Sequence, residues 1–345
     1  MVRDVFFKGD KLVKIVPPYL MFLGDAPDHL AAKTADGVAK WRPDWCLGQL
    51  RLEGCNADIG LPDMTLEAAA AAGVKTLVIG VVNQGGYFND SWMATLNQAL
   101  ESGMDIASGL HMRLTEVPGL SEKAAHLGRQ LYDARHPTQD FAVGKAKPRT
   151  GKRLLTVGTD VSVGKMFTSL SIEKELKARG VKCDFRATGQ TGIFIAGEGV
   201  SVDAVVADFI SGATETLSPD NDPDHWDVIE GQGSLFHASY AGVTLGLLHG
   251  SQPDAIVLCH EPTRPHMRGT PHIPMPDLQA CIDANIAAGR LFNPDIRCVG
   301  VSVNSSGLSA DEAARFLGET ETRLGLPCID AFKDGAARIV DNLDR

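Results

Sequence analysis

The sequence predicts an α/β protein of two domains, each a parallel sheet with helices on both faces. Three observations carry this. Short apolar runs alternate with helical stretches in both halves, and such alternation implies parallel strands joined by crossover helices. Residues 136–152 are polar, basic and rich in Pro and Gly, which reads as a linker between domains at about 1–140 and 148–345. A chain of 345 residues is also long enough for two cores of ordinary size.

In the first half, Tyr19–Leu23 reads as a strand ending at Gly24-Asp25, with helical Asp28–Trp41 after it. Lys75–Val82 is a buried strand punctuated by Asn83-Gln84-Gly85-Gly86. A helix over about Ser91–Ser102, a strand over Asp105–Ser108 and a helix over Leu120–Tyr132 complete this half. Ligands in such sheets bind beyond the carboxyl ends of strands, which brings Asp25 forward as a candidate. Lys33 on the first helix, with Arg42 and Arg51 further on, offers positive charge to acidic ligand groups.

The second half opens with an apolar strand through Leu154, Leu155 and Val157, then a glycine loop, then a helix over Met166–Arg179. Further strands are expected at Cys183–Ala187, Trp226–Ile229, Ala255–Cys259 and Arg297–Val303. Helices are expected at Val202–Ser211, Ala238–Leu248, Met275–Gly289 and Ala310–Leu324.

Composition narrows the function classes. The chain is 44% apolar and 22% charged, which fits a soluble globular protein and not a disordered one. A formal net charge of −10 argues against a general binder of nucleic acid or anionic membrane. No apolar run is long enough to span a membrane, and charges interrupt the apolar stretches of the N-terminus as they do not in a signal peptide. The seven cysteines are odd in number and scattered, as expected of reduced thiols in the cytoplasm.

The richest motif is Thr-Val-Gly-Thr-Asp-Val-Ser-Val-Gly-Lys-Met-Phe-Thr at 156–168. Strand, glycine loop, lysine and helix make the P-loop arrangement, in which loop N–H groups and a helix N-terminus surround an anion and the lysine adds a point charge. The candidate cradle is Gly158, Thr159, Asp160, Ser162, Val163, Gly164, Lys165 and Met166. A P-loop ordinarily continues Gly-Lys-Ser/Thr, and that hydroxyl holds magnesium. Here Met166 stands in its place, and a thioether is a poor magnesium ligand. The loop therefore suits a pyrophosphate that is bound but not cleaved, with Thr168 as a candidate displaced hydroxyl. The spacing resembles the Gly-Thr-Asp-x-x-Val-Gly-Lys loop of dethiobiotin synthetase.

Three further stretches bear chemical groups. Glu230 ends an apolar strand before a turn containing Gly231 and Gly233, where backbone can approach a ligand closely. Arg186 and Gln190 flank another strand-end turn. Cys259–Arg268 is the densest cluster: His260 and Glu261 offer a general base, while Arg264 and Arg268 offer forks for carboxylates. His260, His266 and His272 match no standard metal spacing, so no metal is expected.

Taken together, Gly24-Asp25, Ala32-Lys33-Thr34, Trp41-Arg42-Pro43, Gly48–Arg51, Gly60–Met64, Ile106–His111, Arg135–Pro137, Thr156–Lys165, Phe185–Gly192, His225–Phe236, Leu247–Gly250 and Cys259–Arg268 resemble one family. It was long known only as a domain of unknown function, with a Rossmann-like N-terminal half and a P-loop NTPase-like C-terminal half. Some members are D-glutamate N-acetyltransferases of D-amino-acid catabolism that use acetyl-CoA. The resemblance implies acetyl-CoA as cosubstrate, D-glutamate or a related D-amino acid as small-molecule acceptor, and a homodimer. It also implies a dehydrogenase acting on the N-acetylated product. On the motifs alone, an ATP-dependent ligase or kinase of the dethiobiotin-synthetase type and a nucleotide-sensing regulatory protein remain open.

Overall fold

A computed structural model describes residues 12, 14–83 and 85–343. Gln84 and the reading of the first eleven residues as non-signal sequence lie outside the described residues. The chain forms two compact units. One holds the described residues up to Gln139 together with Gly189–Ala204, and the other holds Asp140–Thr188 and the chain from Val205 onward.

The first unit runs β1 (Tyr19–Gly24), α1 (Lys33–Trp41), β2 (Cys46–Arg51), α2 (Leu66–Ala71), β3 (Thr76–Ile79), α3 (Met93–Glu101), β4 (Asp105–Ser108), α4 (Leu120–Leu127) and β5 (Leu131–Asp133). Its sheet has the order β2-β1-β3-β4-β5, and every pairing is parallel. All six residues of β1 are buried, as a strand covered on both faces requires. The chain leaves β1 in one direction toward β2 and returns past it to β3, so Gly24-Asp25 stands at the point where strand order reverses. The helix expected over Leu120–Tyr132 is shorter. Gly128 takes a left-handed conformation and ends it, and the next residues form edge strand β5.

The second unit begins with β6 (Lys152–Gly158), α5 (Lys165–Ala178) and β7 (Cys183–Arg186). The chain then contributes α6 (Gln190–Ala196) to the first unit and returns as α7 (Ile210–Leu217), β8 (Trp226–Ile229), α8 (Ala241–Ser251), β9 (Ala255–His260), α9 (Leu278–Gly289), β10 (Arg297–Val303), α10 (Ala310–Leu324), β11 (Cys328–Ile329) and α11 (Ala337–Val340). The helix expected over Val202–Ser211 is instead two short 3-10 turns followed by α7, because the chain passes between units at Ala204. Sheet order is β11-β10-β9-β6-β8-β7, again all parallel. Leu154, Ile172, Leu176, Trp226, Val228, Val257 and Val299 pack one face of this sheet against α5 and α11.

The stretch read as a linker is anchored to the second unit. Glu215 of α7 accepts the Lys145 and Ala146 N–H groups at 2.8 and 2.7 Å. The half-buried Arg149 guanidinium donates to the Ser218, Gly250 and Ser251 carbonyls, which lie at the C-terminal ends of α7 and α8. A cation there complements two helix dipoles at once.

Candidate active site

Strand order decides what surrounds the phosphate loop. β6 lies between β9 and β8, so His260, which ends β9, and Glu230, which follows β8, flank the loop on either side. The loop itself turns through left-handed conformations at Ser162 and Gly164, with φ of 54° and 98°. Gly164 is the N-cap of α5 and supplies no capping side chain. The N–H groups of Val163, Gly164, Lys165 and Met166 consequently have no partner among the described residues. Four orphan donors at a helix start are what an anion requires.

Lys165 folds back into this cradle. Its ammonium donates to the Asp160 carbonyl at 2.9 Å, and burial pushes its pKa down to about 8. An arriving anion would restore the favourable environment the charge lacks. Thr168 offers no hydroxyl to the loop, because its proton goes to Ser302 Oγ at 2.8 Å and it receives the Cys259 thiol at 3.4 Å. With Met166 at the ordinary hydroxyl position, neither residue supplies an obvious magnesium ligand.

Glu230 is buried. One carboxylate oxygen accepts the Thr188 N–H at 2.9 Å and the other the Gln232 amide at 3.3 Å. The turn after it is tightly constrained. A Cβ on Gly231 would stand 1.7 Å from the Thr156 carbonyl oxygen, so only glycine fits. The Gly231 N–H donates to Thr156 Oγ1 at 2.9 Å, so it is not free for a ligand. Gly233, with φ of 70°, keeps an N–H that has no partner among the described residues.

The Cys259–Arg268 loop differs from its sequence reading in what its groups do. Burial pushes the His260 pKa down to about 4, the Arg264 and Arg323 charges add to this, and Glu261 opposes it. Its Nδ1 pairs with Thr159 Oγ1 at 3.0 Å and its ring stacks on Phe316. A conjugate acid that strong makes His260 a poor base for an ammonium. Glu261 is fully engaged, with one oxygen on Thr263 N–H and Oγ1 and the other on Arg264 Nε at 2.6 Å.

Arg264 does not present a free fork. Besides Glu261 it donates to Asp160 Oδ2 at 3.1 Å and to the Val161 and Ser162 carbonyls, both at 2.8 Å. Three of these donations brace the phosphate loop, and the Nε–H goes to Glu261. Asp160, fully buried, also accepts the Arg268 N–H at 2.8 Å. The Arg268 guanidinium is exposed and has no partner among the described residues.

The remaining candidates belong to other elements. Arg186 is paired with Asp227 at 2.8 Å and Asp184 at 3.3 Å, so its positive charge is neutralised within the sheet. Gln190 starts α6 of the first unit and packs at Gly109, so the turn expected there is a helix. Asp25 accepts Trp92 Nε1 at 2.8 Å and Asn89 Nδ2 at 3.1 Å. Burial raises its pKa, but these bonds, one from its own backbone and one from Ser91 outweigh that and hold it low. Lys33 is exposed at the start of α1, and Arg51 pairs with Asp63.

Comparison with known proteins places this architecture. The P-loop domain of DUF1611, a domain of unknown function, matches residues 140–340, and the Rossmann-like DUF1611 N-terminal domain matches residues 50–137. This chain belongs to the DUF1611 family. A DUF1611 crystal structure from Anabaena variabilis is 31% identical, with a TM-score of 0.79 over 95% of this chain and 99% of that one. A D-glutamate N-acetyltransferase from Tritonibacter scottomollicae is 55% identical over 95% of this chain and 99% of its own. Another of the same name, from a Pseudoalteromonas species, is 50% identical over 96% of this chain and 100% of its own. The family match fixes the fold as a Rossmann-like domain followed by a P-loop domain.

Several residues of this DUF1611 site went unread in the sequence. Thr156 sits inside β6, where a lone threonine looks like strand filler, yet it links Gly231 N–H to Ser169 and Lys165 of α5. Ser234 Oγ donates to the Thr159 carbonyl at 3.0 Å. His237 Nε2 donates to the Arg268 carbonyl at 2.9 Å while its Nδ1 accepts the Ser239 N–H, which fixes the tautomer. His237 follows the glycine turn closely in sequence, and that proximity was the available signal.

Proposed function

We propose that this protein transfers the acetyl group of acetyl-CoA to the amine of D-glutamate. The observation that carries the reading is the 55% identity, over nearly the whole of both chains, to a protein named for that activity. The orphan donors at the start of α5 and the Met166 position suit a diphosphate that passes through the reaction intact.

Acetyl-CoA supplies a thioester; its C–S bond breaks as the C–N bond to the amine forms, and the amine proton ends on the departing thiol. Val163, Gly164, Lys165 and Met166 hold the diphosphate. Arg268 holds a substrate carboxylate through its free guanidinium. Glu230 takes the ammonium proton, since His260 is too acidic when protonated and Glu261 is bound up in the loop. The Gly233 N–H serves the developing negative charge on oxygen. Arg264, Glu261 and Asp160 set the loop in place. The protein acts as a cytoplasmic homodimer, its cysteines being free thiols.

Thiol release from acetyl-CoA is measured with D-glutamate and with L-glutamate, in the absence of ATP and magnesium. Release with D-glutamate alone supports the reading. Turnover that requires ATP and liberates phosphate overturns it in favour of a ligase or kinase. Nucleotide binding without turnover marks a sensor.

A further inference from the structure

A cavity of about 270 Å³ opens directly beside the phosphate loop, between Val163 and Gly164 on one side and Asn304, Phe332 and Lys333 on the other. Phe167 and Phe332 meet edge to face at 5.5 Å in its wall, yet they remain 38% and 62% exposed. The largely exposed Phe332 ring beside an anion cradle suits a ligand with a flat apolar face.

The presentation of Phe332 is built into the chain. Asp330 is buried and accepts the Phe332 and Lys333 N–H groups at 3.1 and 3.2 Å through one oxygen. Its other oxygen accepts Ser305 Oγ at 2.6 Å and the Ser305 N–H at 3.1 Å. This ties the turn carrying Phe332 to the loop that follows β10. Asn304, at the end of that strand, is held by its N–H on the His260 carbonyl at 2.8 Å and by its Oδ1 on the Ser306 N–H at 3.2 Å. Its Nδ2 hydrogens have no partner among the described residues. Lys333, half exposed at the rim, donates to Ser305 Oγ at 2.8 Å and pairs with the buried Asp330 carboxylate at 4.0 Å.

An aromatic wall, a carboxamide edge and a cation, adjoining donors for a diphosphate, match the parts of an adenine nucleotide in sequence. We infer that this cavity takes the adenine ring of the acyl donor, with Phe332 against its face, Asn304 on its edge and Lys333 beside the ribose phosphate. The inference rests on acetyl-CoA being the donor, as proposed above. Base–aromatic stacking contributes enough that loss of the Phe332 ring is felt as about a tenfold change.

The test uses the full chain and adenosine 3′,5′-bisphosphate, titrated calorimetrically, beside turnover with acetyl-CoA and with acetyl-pantetheine, which lacks the nucleotide. Wild type binds the bisphosphate, and Phe332→Ala and Asn304→Ala each weaken it about tenfold. The preference for acetyl-CoA over acetyl-pantetheine in kcat/KM falls by a similar factor. Phe332→Leu, which keeps apolar bulk without the ring, replaces Phe332→Ala if that variant does not fold. A wild type that ignores the bisphosphate, or variants that bind it as wild type does, overturns the inference even if acetyl-CoA is turned over. Binding that both variants weaken, without any thiol release from acetyl-CoA, leaves the purine site standing and removes the donor reading instead.

Discussion

The fully buried carboxylate of Asp160 receives Arg264 Nη1 at 3.1 Å and so ties the phosphate loop to the loop that follows β9. The same oxygen accepts the Arg268 N–H, so one carboxylate sets both the cradle and the residue proposed to hold substrate. Removing one partner of such a pair strands the other, which costs about 3–5 kcal/mol. Asp160→Ala is expected to lower unfolding free energy by roughly that amount in urea titration. Arg264→Lys retains charge but loses the fork, so the expected effect is a raised KM for the acyl donor. A rise confined to the KM for D-glutamate would instead restore Arg264 as a substrate fork.

Lys165 should make donor binding pH-dependent. Its pKa in the free protein is pushed down from 10.5 to about 8 by burial. The ammonium that attracts the diphosphate is present below that value and is lost as pH rises through it. The KM for acetyl-CoA is therefore expected to be flat below about pH 8 and to climb above it. For stability the sign is opposite: the unfolded chain binds the extra proton between the two values, so this group's burial penalty eases as pH rises. Lys165→Ala should weaken CoA binding by about 1.5–3 kcal/mol and flatten the KM profile, with the melting curve still cooperative. Calorimetry with CoA across pH checks both.

How far the sequence revealed this site depends on where the information resides. Buried parallel strands such as β1 and β9 advertise themselves, because both faces are covered and the apolar run is nearly continuous. Edge strands β5 and β11 do not, being short and set by a neighbour's register. The phosphate loop is local in sequence, so its glycines and lysine stand out as a motif. The contacts that decide roles are not local. Arg264 meets Asp160 across about a hundred positions, and no spacing rule tells a carboxylate fork for substrate from one for another loop. His260 looked like a base because its type suggests a neutral pKa; only the burial beneath Phe316 and the strand end show otherwise.

Glu230 and His260 should separate cleanly in kinetics. Glu230→Gln removes the proposed proton acceptor while retaining the shape, and kcat is expected to fall by ~10²–10⁴ near neutral pH, with less loss at alkaline pH where the amine loses its own proton. His260→Gln should leave kcat within a few-fold but change acid stability. The His260 pKa is about 4 folded against 6.5 for the free side chain. Between those values the unfolded chain binds more protons, so stability falls as pH drops from 6.5 toward 4. The loss is on the order of 3 kcal/mol, and the glutamine variant should lack it. Urea midpoints from pH 4 to pH 7 measure this. A collapse of kcat in His260→Gln, with Glu230→Gln active, would reverse the assignment.

Arg268 is held by its main chain and free in its side chain. Its N–H goes to Asp160 at 2.8 Å and its carbonyl receives His237 Nε2 at 2.9 Å, while the guanidinium is exposed. A fixed backbone beneath an unpaired cation is the arrangement that recognises an anion without first breaking an internal bond. A charge-assisted bidentate contact contributes about 1.5–3 kcal/mol, so Arg268→Ala should raise the KM for D-glutamate by about 10- to 100-fold. Arg268→Lys should recover only part of this, because an ammonium cannot make the fork. The γ-amide of D-glutamate assigns the carboxylate: an effect of Arg268→Ala on D-glutamate but not on the amide places the side-chain carboxylate there. An equal effect on both places the α-carboxylate there. A KM for D-glutamate that does not move in Arg268→Ala removes Arg268 from the substrate site.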